Sequence, residues 1–142
     1  MIQIGRLMKS LLILLNDLPY KTDKAYNALR AAGVAQKNGT KVVIFLMGDS
    51  VYVARKNQQP PPDFPNLENM VVDLIQDGID FKLCTTCVNA RGFEPKEGEI
   101  SSCFVGAKKG GMIPADLIEG TEMSTMPEFV TLVSESEKVI SF

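Results

Sequence analysis

The sequence predicts one α/β domain built on a mostly parallel sheet, and three observations carry that expectation. Short, unbroken apolar runs recur at 11–15 and 42–47, as in strands covered on both faces, and 79–83 reads as a third strand. Between them lie segments with helical spacing of apolar residues and recognisable start and stop signals. Strands and helices alternating at these distances pair in parallel through crossover helices. The 142 residues are the length of one domain, and a chain of this mass buries about two-thirds of its unfolded surface. With 45% hydrophobic residues, the core needs no metal or disulfide staple.

The elements follow in order. The run 11–15 stops at the polar turn Asn16-Asp17-Leu18-Pro19. From Asp23 the period becomes helical, with Ala25, Ala28, Leu29, Ala32 and Ala35 on one face. Thr22 or Asp23 caps its start and Gly39 follows its end. These small residues let the helix lie close to a sheet. The second strand, 42–47, leads through Gly48-Asp49-Ser50 to a short helix at 51–56. Three consecutive prolines, Pro60 to Pro62, make 57–65 a loop. Asn66 caps the next helix, with Leu67, Met70, Val71, Leu74 and Ile75 inward and Gly78 as its stop. The third strand is 79–83, with Cys84 at its carboxyl end. Residues 93–114 mix Gly, Pro, Lys and Ser with little periodicity and read as an insertion, helical at most near 104–108. A brief strand at 121–123 precedes Thr125-Met126-Pro127-Glu128, which has capping-box spacing. The helix it opens carries Phe129, Val130, Leu132 and Val133, and 138–142 is the last strand. The whole chain, 1–142, is read as one domain.

Composition narrows the function. The balance of 15 Lys+Arg against 17 Asp+Glu offers no basic surplus to drive counterion release, which argues against direct nucleic-acid binding. There is no His, so Ser-His and Cys-His catalysis and His-ligated metals are excluded. Three Cys in a chain this long do not read as a secreted disulfide framework. The apolar run after Arg6 and Lys9 is too short for a signal sequence. Met8 is an equally good start, leaving 1–7 as an extension. No stretch approaches the roughly 18 apolar residues of a membrane span. The expectation is a cytoplasmic protein without membrane contact.

Sites in parallel sheets gather beyond the carboxyl ends of the strands, which directs attention to Asn16-Asp17, Gly48-Asp49 and Cys84. The chemistry centres on Cys84-Thr85-Thr86-Cys87-Val88-Asn89-Ala90-Arg91-Gly92. Both thiols fall at the start of a helix, where unpaired N–H groups favour thiolate over thiol. Cys84, Cys87 and Arg91 share one helical stripe. An Arg91 guanidinium bent back toward the first turn adds a second stabilising charge and steers an anionic sulfur donor. Such a thiolate needs no imidazole.

Plainer readings stand beside this one. A strand cysteine is about as often a small buried hydrophobe. A lone C-x-x-C also serves as a zinc half-site or a dithiol redox pair; zinc needs Cys103 and a fourth ligand that is not His, so no metal is expected. Arg91 before Gly92 also suits a solvated helix end. The run 106–111, Gly-Ala-Lys-Lys-Gly-Gly, lacks P-loop spacing and reads as a loop, and no G-x-G-x-x-G follows a strand. No cofactor is expected. The seven Met fill core and subunit contacts.

Several segments, in this order, resemble the DsrE/DsrF-like family, which includes TusD-type sulfur-relay proteins. They are Lys24-Ala25-Tyr26-Asn27-Ala28-Leu29-Arg30, Phe45-Leu46-Met47-Gly48-Asp49-Ser50-Val51-Tyr52, the Cys84–Gly92 segment, Leu117-Ile118-Glu119-Gly120 and Ser124-Thr125-Met126-Pro127. Residues 93–114 are the departure. The resemblance implies a three-layer α/β/α sandwich with about five strands and flavodoxin/Rossmann-like topology. It also implies homotrimers, homohexamers or mixed assemblies, and a strand-end cysteine that passes persulfide sulfur between donor and acceptor proteins. The spacing to the Arg-Gly pair in TusD-like members matches Cys84, with Cys87 as accessory or alternative thiol.

The expected function is therefore a sulfur carrier of sulfurtransferase type. Cys84 takes the sulfur, Arg91 and the helix start stabilise its thiolate, and Cys87 resolves the persulfide or holds a second sulfur. Two alternatives stay open: a thioredoxin-like dithiol couple using Cys84 and Cys87, and a non-enzymatic oligomeric binding or regulatory module with inert cysteines. The insertion is expected to gate Cys84 and to present Cys103.

Overall fold

The computed structural model describes residues 7–93 and 114–142. Five strands form one sheet, β1 (Ser10–Leu15), β2 (Lys41–Leu46), β3 (Asp80–Cys84), β4 (Thr121–Ser124) and β5 (Lys138–Ser141), in the order β4-β3-β2-β1-β5. Every neighbouring pair is parallel. The chain enters at β1, steps outward to β4, then returns across the sheet to β5. Because parallel crossovers are right-handed, that reversal puts the last helix on the opposite face from the earlier ones.

The two faces are distinct. On one, α1 (Lys24–Lys37) and α2 (Leu67–Gln76) pack with a 3-10 helix (Gly48–Ala54) and Val88 of α3 (Thr85–Ala90) against Ile13, Ile44, Phe81 and Leu83. The buried residues of α1 are Ala25, Ala28, Leu29, Ala32 and Ala35, the face the periodicity predicts. α1 and α2 approach closely: a Cβ on Gly33 would meet Leu74 Cδ2 at 3.3 Å. On the other face, α4 (Met126–Glu135) lays Met126, Phe129 and Leu132 over Leu12, Val43, Phe45 and Cys84. Phe129 stacks at a tilt on Phe45, with centroids 4.8 Å apart. This second core is thinner. α4 has no fully buried residue, and Val130 and Val133 point outward at 56% and 40% exposure. The three layers are thus α1/α2, sheet and α4.

Local signals explain the boundaries. Asn66 Oδ1 accepts from Asn69 N at 3.1 Å to start α2, and Thr125 Oγ1 accepts from Glu128 N at 3.3 Å to start α4. At α1, of the two candidates Thr22 and Asp23, Asp23 makes no side-chain cap and Thr22 Oγ1 accepts from Lys24 N. Thr22 Oγ1 also donates to Asp17 Oδ2 at 2.5 Å, which ties the turn ahead of the helix to its start. The short helix expected at 51–56 begins earlier, at Gly48. Ser50 Oγ accepts from Met47 N at 2.8 Å and donates to Leu15 O at 2.6 Å, so the chain winds as soon as β2 ends. The insertion's interior, 94–113, and with it Cys103, the expected helix near 104–108 and the run 106–111, lie outside the described residues. Its flanks are anchored: Phe93 is buried against Tyr52, and Lys56 N and Ile118 N bridge 54–56 to 116–118 at 2.8 Å each.

Candidate functional site

Cys84 ends β3, an inner strand between β2 and β4, and its backbone turns directly into α3. Side chains alternate along a strand. Phe81 and Leu83 therefore face α1 and α2, while Lys82 and Cys84 face α4. Cys84 is 3% exposed, packed with Leu12, Val43 and Phe45. Cys87, one turn on, is partly exposed and touches both cores. Both are thiols, with no disulfide between them.

Arg91 does bend back along α3. Its Nη1 donates to the Cys87 carbonyl at 3.0 Å, while Nε and Nη2 reach Asp49 Oδ1 at 3.0 and 2.9 Å. The guanidinium is thereby fixed beside the Cys87 turn, with its charge countered by a carboxylate from the β2 end. Gly48 delivers that carboxylate: its φ of +61° is open to glycine without steric cost. Of the three strand ends singled out by sequence, the structure joins Gly48-Asp49 to the Cys84 segment through Arg91. It does not bring in Asn16-Asp17. Asn16 turns to Ser141 and Asp17 to Thr22, whose hydroxyl is the main reason the Asp17 carboxyl sits below its ordinary range.

Sequence reasoning missed a polar cluster on the Cys84 face. Lys82 is almost enclosed, its side chain 11% exposed, and it pairs with Glu122 of β4 and with Glu128 of α4, the latter at 3.2 Å. Burial alone would pull the Lys82 ammonium down. Hydrogen bonds and charge from both carboxylates outweigh it and raise it above its ordinary value. Glu128 Oε2 and Ser124 Oγ are buried without a hydrogen-bond partner. One signal was available: Lys82 interrupts an apolar strand, and a buried lysine needs an anion. Which anion depends on the Lys82–Glu122 register and on α4 crossing the sheet, and neither is written locally.

An all-parallel, three-layer domain with a cysteine closing an inner strand and an Arg–Asp pair at the following turn defines a class of cysteine-bearing α/β domains. A sequence profile of the DsrE/DsrF-like family matches residues 9–142, and the chain belongs to that family. It is 33% identical over 130 residues to an uncharacterized protein of Methanocaldococcus jannaschii, covering 92% of this chain and 96% of that one. It is 27% identical over 137 residues to protein YchN of Escherichia coli K12, covering 95% and 100%. The crystal structure of YchN superposes with a TM-score of 0.73 at 26% identity, covering 95% of this chain and all of that one. A conserved protein of unknown function from Bacteroides thetaiotaomicron shares the fold, with a TM-score of 0.63 at 18% identity, over 94% and 95% of the two chains. Among the described residues no helix is long and apolar enough to cross a membrane.

Proposed function

We propose that this protein is a cytoplasmic sulfur carrier with Cys84 as the working thiol and Cys87 as its accessory. Membership of the DsrE/DsrF-like family, a family of sulfur-relay type, supports the class. The observation that carries the assignment to Cys84 is its place at the carboxyl end of an inner strand, with an ordered Arg91–Asp49 pair at the next turn. The Cys84 thiolate attacks the outer sulfur of a donor persulfide. The donor's S–S bond breaks, the donor leaves as a thiolate, and a new S–S bond holds the sulfur on Cys84. An acceptor thiolate then attacks that outer sulfur and Cys84 leaves as thiolate. Each step is an exchange without net oxidation, so it needs no cofactor. Arg91, 26% exposed and paired with Asp49, orders the turn beside Cys87. Donor and acceptor are proteins, and the working form is a homotrimer or homohexamer. Val130 and Val133 on α4 and Val139 and Ile140 on edge strand β5, all exposed, supply apolar surface for subunit contact. Incubation with a persulfide donor is expected to add the mass of one sulfur to the wild type and to Cys87→Ser, and none to Cys84→Ser. Normal loading of Cys84→Ser overturns the assignment.

One observation favours a second reading. Cys84 is buried in an apolar cluster, where a cysteine serves as a small core residue, as in a binding or regulatory module with inert thiols. Under that reading neither thiol takes sulfur, and both alkylate no faster than a free thiol at neutral pH. The dithiol-redox alternative rests on the C-x-x-C spacing alone.

A further inference from the structure

Ser124 closes β4 at 0% exposure, and its Oγ is buried with no hydrogen-bond partner. Buried hydroxyls almost always find one. Its main chain, by contrast, is fixed: the Ser124 carbonyl accepts the Thr85 hydroxyl at 2.7 Å, which ties the end of β4 to the first residue of α3. Ser124 is also the register partner of Cys84 on the neighbouring parallel strand. Partnered residues point to the same face, about 4.8 Å apart. Here that is the α4 face, since Leu83 and Met123, the preceding pair, belong to the opposite core. A hydroxyl without a partner is thus kept beside the candidate sulfur-carrying atom.

We propose that Ser124 is a positioning residue for the carried sulfur, its hydroxyl donating a hydrogen bond to the outer sulfur of a Cys84 persulfide. The proposal rests on the sulfur-carrier reading. Loading lengthens the Cys84 side chain by one S–S bond of about 2 Å, and the strand spacing of about 4.8 Å then leaves the new sulfur within reach of its registered neighbour. The outer sulfur of a persulfide carries the negative charge, and a hydrogen bond to an ionised acceptor is stronger than one between neutral groups. The hydroxyl keeps its proton throughout and no covalent bond changes. It holds the sulfur until an acceptor arrives and is idle in the resting thiol.

The test is Ser124→Ala. Wild type and variant are loaded with glutathione persulfide and desalted, and loss of protein-bound sulfur to cyanide is followed across pH. Both are expected to load equally, with the variant losing its sulfur about tenfold faster and its pH profile displaced upward. The unloaded variant is expected to melt at or above the wild-type temperature, because an unsatisfied buried hydroxyl has been removed. A serine with a merely structural role gives a lower melting temperature and an unchanged profile, and that result overturns the proposal. So does normal loading with sulfur lifetimes within about twofold of wild type, which leaves the carrier function standing. Wild-type protein that takes up no sulfur overturns both.

Discussion

Replacing Lys82 by Met tests how α4 is held over Cys84. The ammonium bridges Glu122 on β4 and Glu128 on α4, and its removal strands the Glu128 carboxylate, whose side chain is only 12% exposed and whose Oε2 already lacks a partner. Breaking a fully buried pair costs about 3–5 kcal/mol. Glu122, at 47% exposure, can turn to water, so the lower end applies, about 3 kcal/mol. For a domain of this size that is a loss of roughly 10 °C in melting temperature. The sign with pH follows from the groups involved. Lys82 is raised, so its contribution is complete below its ordinary value near 10.5 and fades only as pH rises through the higher folded value. At pH 7 the whole loss is therefore visible. Adding Glu128→Gln removes the stranded charge and is expected to restore all but about 1 kcal/mol. Thermal melts of the three proteins at neutral pH read this directly. A double variant no better than the single refutes the reasoning.

Three further outcomes are expected. Gly120→Ala meets a φ of +95° and places its Cβ 2.8 Å from Ile75 Cγ2, so chemical denaturation is expected to show a loss of about 1–3 kcal/mol. Thr22→Val removes the hydroxyl that chiefly lowers Asp17, and NMR titration is expected to show that carboxyl returning toward 3.8. Because the wild-type group is depressed, its small contribution to stability is present above that value and lost as pH falls below it, and the variant lacks it. Val130→Ser with Val133→Ser polarises the exposed ridge of α4, and light scattering is expected to report a smaller assembly with an unchanged fold by circular dichroism.

Where the chain's signals are local, the sequence was readable. The alanine face of α1, the Asn66 and Thr125 caps and the apolar runs of β1 and β2 each depend on neighbours within a few residues, and each is found where the pattern places it. Cys84 was legible as a strand-end thiol for the same reason. The features that failed to show are products of registration between distant segments. The Asp49–Arg91 pair joins residues separated by 42 positions and Lys82–Glu122 residues separated by 40. Ser124 becomes notable only once its Cα is paired with that of Cys84. The outward turn of Val130 and Val133 likewise escapes periodicity, which gives an apolar stripe without saying whether sheet or another subunit covers it.

The central claim, that Cys84 carries sulfur, meets its most direct test in peptide mapping by mass spectrometry of freshly purified protein, alkylated at once to trap persulfides. The account predicts the extra sulfur on the peptide containing Cys84 and Cys87, with fragmentation placing it on Cys84. Extra sulfur confined to Cys87 or Cys103, or none on any cysteine even after exposure to a persulfide donor, contradicts it.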